Sequence, residues 1–518
     1  GGGSRAAGGG RRRARGAAEA EAESPQEPLG ELEDLAAPEA SSGQWGQGEV
    51  RRPVRAAGGT RDEACDVEGL PGSQRVFLKT YGCAHNGSDA EFMLGLLRDY
   101  GYALTDQLED AHVCVGWWDS CTVKGPSEDN AVSLARRAQK EGKTVVMTGC
   151  VPSGDKSIPS QLPGVSMLSV TQINRIVEVV EEASRGSVVQ LLGSSRVLPS
   201  LELPKVRRNN CVEIIPISGG CLGNCSYCKT KHARGKLSSY TEEAIVSRAL
   251  QAAAEGASQV WLTSEDTGAY GLDIGTHIGR LLPRVADALP PGVMLKLGMT
   301  NPPYMLAHID AVAAVLGRPN VFAVLHVPVQ SGSDSVLRAM IREYSVAEFR
   351  QLVDGLRAAV PDMRIATDMI CGFPAESEED HEASMSLVRE YRFPELHISQ
   401  FYPRPGTAAA RMKGLPGSVK KRRSTEMHRL FESYQTYGDL PGREERVWFS
   451  DTDARWGQTV GHTKTYAKVV VQQDDALLGR SALVRLGAAS KWHVEGQARA
   501  ARSREQGAGG GRAGPCGR

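Results

Sequence analysis

The run Val212-Glu213-Ile214-Ile215-Pro216-Ile217-Ser218-Gly219-Gly220-Cys221-Leu222-Gly223-Asn224-Cys225-Ser226-Tyr227-Cys228 leads from an apolar, strand-like stretch into a loop that carries three cysteines. With 11 cysteines in 518 residues, a C-x3-C-x2-C spacing has a chance probability of roughly half a percent, so the three thiols are read as serving one purpose. Three thiolates on one tight loop can hold three corners of a 4Fe-4S cluster and leave the fourth iron open to a ligand. The same spacing admits a structural zinc site, because His232 follows Cys228 closely enough to complete a Cys3His set.

Working outward, Val212–Ser218 is the first of six strand-like segments. The others are Gln259–Glu265, Met294–Met299, Val321–Val329, Met363–Cys371 and Glu395–Phe401, with helical patterns between them. Six β/α units in series predict a partial (β/α)6 barrel over 207–437, its active site built from loops at the strand carboxyl ends. The cysteine loop is the first of these. The later ones carry polar residues directly after apolar runs: Thr263 to Gly268, which includes Asp266; Thr300-Asn301-Pro302; His326 to Ser333, which includes Gln330; and Thr367 to Pro374.

Upstream, over 74–182, strand patterns at Val76–Thr80, Ala111–Gly116, Thr144–Thr148 and Val165–Val170 alternate with helical ones at Ala90–Tyr100, Glu128–Lys140 and Ile173–Ser184. That alternation predicts a smaller parallel α/β domain. Cys83, Cys121 and Cys150 each follow one of its strands, where an open sheet presents its ligand site, so they form a second candidate trio. Each alone reads better as a small apolar residue, and it is the three at equivalent strand ends that favour a shared site. Cys65, Cys114, Cys211, Cys371 and Cys516 show no such arrangement.

Downstream, over 438–498, short apolar strands such as Arg446–Phe449 and Tyr466–Val471 predict a small OB-like β-barrel. Lys420-Lys421-Arg422-Arg423, just before it, reads either as part of a phosphate-binding surface or as a solvated helix face. The Gly-, Ala- and Arg-rich segments 1–72 and 499–518 are expected to be disordered tails. Lys plus Arg and Asp plus Glu both total 61, which excludes a global field for nucleic acid and leaves a local basic face open. The absence of an apolar run of roughly 20 residues or of an apolar leader points to a cytoplasmic, reducing setting.

These motifs give the chain its resemblance to the radical S-adenosylmethionine (SAM) methylthiotransferase family, closest to its eukaryotic threonylcarbamoyladenosine tRNA branch. The strings that carry it are Tyr81-Gly82-Cys83, Ser120-Cys121-Thr122-Val123, Gly149-Cys150-Val151-Pro152, the Cys221–Cys228 motif with Lys229 to Gly235 after it, Thr263 to Gly271, Gly298 to Tyr304, Val329-Gln330-Ser331 and Phe401 to Thr407. The resemblance spans about Arg75 to Gly496 and implies an N-terminal methylthiotransferase domain, a radical SAM core and a C-terminal TRAM domain that binds RNA.

It also implies two 4Fe-4S clusters. Cys221, Cys225 and Cys228 would hold the one that cleaves SAM, with Tyr227 packed on the cofactor adenine and Asp266 and Gln330 on its polar groups. Cys83, Cys121 and Cys150 would hold the one that carries the inserted sulfur. The implied reaction replaces hydrogen at C2 of N6-threonylcarbamoyladenosine, at position 37 beside the anticodon of lysine tRNA, with a methylthio group. The implied partners are tRNA, an external electron donor and a sulfur source, acting on a monomer. The rival readings are methylthiolation of isopentenyladenosine tRNA or of a ribosomal-protein aspartate, and a non-catalytic, zinc-bearing RNA-binding protein. Asp119 stands where the family usually has Asn, and Ala375 where it has Gly, a position at which a methyl group crowds the turn if φ is positive. Vertebrate members carry a hydrophobic C-terminal tail that anchors them to the endoplasmic reticulum, and this chain shows none.

Overall fold

The computed structural model describes residues 74–499 apart from 81, 118–124, 194 and 196. The two expected tails, and Cys65, Asp119, Cys121 and Cys516, lie outside the described residues.

The first sheet contains β1 (Arg75–Thr80), β2 (Ala103–Thr105), β3 (Val113–Trp117), β4 (Thr144–Gly149), β5 (Ser166–Ser169) and β6 (Gln190–Leu191). Its order is β2-β1-β3-β4-β5-β6, parallel throughout. The strands are apolar on both faces because helices cover both. Val76, Leu78, Val113, Val115 and Val146 pack with Met93, Leu94, Leu97, Ile176 and Val179. Phe77, Cys114, Val145 and Met147 pack on the other side with Ala131, Ala135 and Leu162. Each Val, Leu, Ile, Phe or Met among them contributes about 1.5–3 kcal/mol on burial.

The second unit contains β7 (Val212–Pro216), the small antiparallel pair β8 (Ser218–Gly219) and β9 (Ser238–Ser239), then β10 (Gln259–Thr263), β11 (Met294–Leu297), β12 (Val324–His326), β13 (Arg364–Cys371) and β14 (Glu395–Gln400). Two parallel sheets, β11-β10-β7 and β12-β13-β14, are joined by the Leu295–Val321 bridge. The result is a six-stranded half-open barrel running β7-β10-β11-β12-β13-β14. The fourth strand is shorter than its apolar run, since Pro328 has no N–H for the ladder and Gln330 adopts φ 68°.

The helix Ala84–Tyr100 of the first domain covers the open β7 edge. Ser88 donates to the Ile214 carbonyl at 2.9 Å, and Lys205, on the connecting segment, donates to the same carbonyl at 2.6 Å and to Glu213 at 2.8 Å. Glu213 is fully buried, but Lys205, Arg248 and Arg207 outweigh the desolvation and hold its pKa down at about 2.

The last unit is a closed five-stranded barrel, β15 (Glu444–Asp453), β16 (Gln458–Thr463), β17 (Lys468–Gln472), β18 (Ser481–Ala489) and β19 (Val494–Ala498), in the order β15-β16-β17-β19-β18. It seals the amino end of the half-barrel. Tyr466 meets Phe322 edge to face at 4.9 Å, Trp448 meets it at 5.9 Å, and Lys464 donates to the Leu316 carbonyl at 2.7 Å.

Two sequence expectations are corrected here. The basic run at Lys420–Arg423 is not a uniform surface patch, because Arg423 turns inward while Lys421 and Arg422 stay exposed. Arg423 is buried against Glu376 (2.6 Å) and Glu378 (2.8 Å), Arg422 pairs with Glu378 and Glu426, and Lys420 donates to the Phe401 carbonyl. Ala375 is exposed and is not among the described residues with positive φ, so its methyl meets no strained turn.

Candidate active site

The first cysteine loop leaves the carboxyl end of β7. Gly220 has φ +75°, and a Cβ there would stand 2.2 Å from the Lys236 carbonyl oxygen, so only glycine makes this turn. Gly82 (φ 140°) and Gly149 (φ 103°) precede Cys83 and Cys150 in the same way. The loop is pinned by Ser226, whose N–H donates to the Met340 carbonyl at 2.8 Å and whose hydroxyl donates to the Ala339 carbonyl at 2.9 Å.

Cys225 receives a hydrogen bond from the Arg342 guanidinium at 3.2 Å, and the Thr230 N–H donates to Cys228 at 3.4 Å. Arg342 also contacts Asn301 and donates to Tyr344 at 3.1 Å. Burial, with the neighbouring Cys228, Asp266 and Cys225, pushes the Cys221 thiol up to about 12. Burial raises Cys225 too, and Arg342 opposes it. Cys221 and Cys225 are therefore desolvated thiols that give up their protons only against a bound cation, which is the chemistry a metal group supplies.

A tetrahedral zinc draws its ligand atoms to within about 4 Å of one another. Among the described residues, the group of three or more His, Cys, Asp or Glu side chains whose ligand atoms all lie within 4.8 Å is His326, Asp368 and His397. Cys221, Cys225 and Cys228 lie on one loop, where their thiols crowd one another electrostatically.

The second set is assembled from distant segments. Cys83 caps the helix Ala84–Tyr100, which starts six residues earlier than its apolar periodicity indicates, and Cys150 opens the short helix Cys150–Gly154. The Cys150 thiol lies 3.8 Å from the Asn86 side-chain oxygen, which also accepts from Arg234. Arg234, from the barrel, pairs with Asp89 and with Glu265 at 2.9 Å each, and His85 reaches Glu265 at 2.9 Å. Burial opposes the charge on Arg234, but Cys150, Asp89, Glu265 and Cys83 outweigh it and hold the guanidinium charged. Lys229 adds a second bridge, to Asp155 at 3.2 Å.

The remaining expected contacts are placed as follows. The Tyr227 ring is buried edge-on against Phe373 (6.4 Å between centroids), in a cluster with Val336, Met340 and Phe401, and its carbonyl accepts from Arg404. Asp266 accepts from the backbone and side chain of Asn301 at 3.1 and 2.8 Å and from Gly268 at 3.1 Å, so its carboxylate braces the loop after β10. Gln330 pairs with β13 through its own N–H to the Asp368 carbonyl and its carbonyl to Ile370.

Sequence reading assigned no role to Arg234, Arg342 or Asn86. For two of them the signal was proximity, since Arg234 lies six residues past Cys228 and Asn86 three past Cys83, whereas Arg342 is distant in sequence from every cysteine of its loop.

A half-open parallel barrel with a three-cysteine loop at its first strand end defines a radical SAM protein. The Radical SAM superfamily matches residues 215–388, and Uncharacterized protein family UPF0004 matches residues 75–168. The chain is 47% identical over 436 residues to the threonylcarbamoyladenosine tRNA methylthiotransferase of Xenopus laevis, covering 83% of this chain and 78% of that one. Against its Homo sapiens counterpart the identity is also 47%, with 83% and 74% covered. Against the probable enzyme of Pyrococcus horikoshii it is 35%, with 77% and 94% covered. Among solved structures, TsrM from Kitasatospora setae, a radical SAM methyltransferase, is similar at 16% identity and TM-score 0.48, over 65% of this chain and 75% of that one. The chain belongs to the threonylcarbamoyladenosine tRNA methylthiotransferase family.

Proposed function

We propose that this enzyme installs a methylthio group on C2 of N6-threonylcarbamoyladenosine at position 37 of tRNA, using two 4Fe-4S clusters. The observation that carries the proposal is a juxtaposition. The helix Thr230–Arg234 directly follows the Cys221–Cys228 loop, the Gly235 carbonyl accepts from the Cys221 N–H at 3.2 Å, and Arg234 reaches the Asn86–Cys150 corner. One short helix therefore ties the two cysteine sites together.

In this reading Cys221, Cys225 and Cys228 hold one cluster and Cys83, Cys121 and Cys150 the other. When bound, the clusters and SAM supply one-electron cleavage of the sulfonium and the sulfur atom to be inserted. The chain's own residues do the rest. Arg342 places positive charge on Cys225, Asp266 and Asn301 fix the loop facing it, and Arg234 holds the first domain against the barrel. Lysine tRNA, an external reductant, a sulfur donor, a monomeric state and a cytoplasmic setting belong to the same proposal. Among the described residues, no helix is long and apolar enough to cross a membrane.

The test is anaerobic reconstitution of the full chain, followed by metal analysis and incubation with SAM, dithionite and tRNA bearing either threonylcarbamoyl- or isopentenyladenosine. About eight irons per chain and methylthio product on the first tRNA alone are expected. One zinc and no iron, or product only on the second tRNA, overturns the reading.

A further inference from the structure

The barrel interior holds a cluster with no cysteine in it, and the Gln330 side chain donates to one of its members, Asp368, at 3.5 Å. On β12, β13 and β14, Leu325, Ile365, Met369, Leu396 and Ile398 pack in the core that includes the surrounding helices. Side chains alternate along a strand, so His326, Asp368 and His397 face the opposite way, into the lumen. The register sets Asp368 directly beside His397 and His326 beside Ala366, two residues before Asp368 on the same face.

The three side chains converge. One ligand atom from each lies within 4.8 Å of the others, and His326 Nε2 stands 2.7 Å from Asp368 Oδ1. The two imidazole centroids are 5.3 Å apart. Donors about 2.1 Å from an ion sit at most about 4.2 Å from each other, so closing on an ion needs a contraction of roughly half an ångström. His326 is 3% exposed, whereas the Asp368 side chain is 29% exposed, which leaves a path from the lumen. Glu395, two residues before His397 on the same face, adds a half-buried carboxyl group below the cluster.

We propose that His326, Asp368 and His397 bind a divalent first-row metal ion in the barrel lumen, with no cysteine among its ligands. Two imidazoles and one carboxylate fill one side of such an ion and leave its remaining positions open to water or an oxygen ligand. A structural His326–Asp368 pair alone would not require the second imidazole that the β14 register brings in.

The test uses the full chain with its clusters reconstituted and oxidised, a state in which they are EPR-silent, titrated with MnCl2 alone. The free Mn(II) lines are expected to be suppressed until one equivalent is bound. Asp368→Asn and His397→Gln should each weaken binding by about tenfold or more, with iron content and melting temperature unchanged as evidence of folding. Cys225→Ala should titrate like the unsubstituted chain, so this result is independent of the cluster assignment. No stoichiometric Mn(II) uptake, or folded variants that bind as tightly as the unsubstituted chain, would overturn the proposal.

Discussion

The two cysteine sites are built in opposite ways. Cys221, Cys225 and Cys228 share one eight-residue loop whose shape is set by a glycine turn and a few backbone hydrogen bonds. Cys83 and Cys150 are 67 residues apart in sequence and follow strands of one parallel sheet, with Arg234 from another domain close enough to feel both. The first site is written locally. The second exists only once the domains have docked, so damage to docking should reach one site and spare the other.

The largest expected effect comes from Cys225→Ala. Iron should fall to about half and SAM cleavage should vanish, because three ligands are the minimum that leaves an open iron. Cys150→Ala should also halve the iron, yet leave SAM cleavage running without methylthio product. Equal loss of SAM cleavage in both variants would break the comparison.

Arg234→Gln separates docking from ligation. It leaves Asp89 and Glu265 buried without their cation, at a cost of about 3–5 kcal/mol, read as a lower melting temperature. The absorbance and EPR of the second cluster should weaken while the first cluster's signals persist. Gly220→Ala should do the reverse. It forces a Cβ against the Lys236 carbonyl at positive φ, costing about 1–3 kcal/mol, and should depress assembly of the first cluster alone.

The smallest effect is a control in the terminal barrel. Burial raises the pKa of Asp451 to about 6, so its protonated form is favoured in the fold. The stability this confers is full below the unfolded pKa of about 4 and is lost as pH rises through about 6. Asp451→Asn should therefore gain about 1–2 kcal/mol at pH 7.5 relative to the unsubstituted chain and nothing at pH 4, by thermal melts, with both clusters unaffected.

Much of this architecture was legible from the strand-and-helix alternation, because parallel strands covered on both faces are apolar along their length and end abruptly at polar loops. The misreadings have local causes. The helix after Cys83 extends back over His85, Asn86 and Asp89, which are polar yet buried because they face Arg234 and Glu265 across the domain boundary. Apolar periodicity cannot register a helix turn whose partners are ionic. Lys420–Arg423 looked like a surface for phosphate, and no local pattern shows that Glu376 and Glu378, more than 40 residues earlier, neutralise it. The fourth barrel strand looked long because Val327 and Val329 are apolar and buried, although Pro328 interrupts the ladder before Gln330 rejoins it as a single bridge.

By itself, the sequence determined the three-thiol loop, the glycines that turn the chain into each described cysteine, and the order of sheet, half-barrel and closed barrel. These follow from short-range chemistry: spacing, side-chain alternation and backbone freedom. Only the tertiary structure decided that Arg234 serves the Cys83–Cys150 corner, that Arg423 of the basic run is buried against Glu376, and that His326, Asp368 and His397 meet in the lumen. Each of those outcomes depends on strand register and domain docking. Both bring together groups tens of residues apart, at distances where burial makes charge and coordination matter.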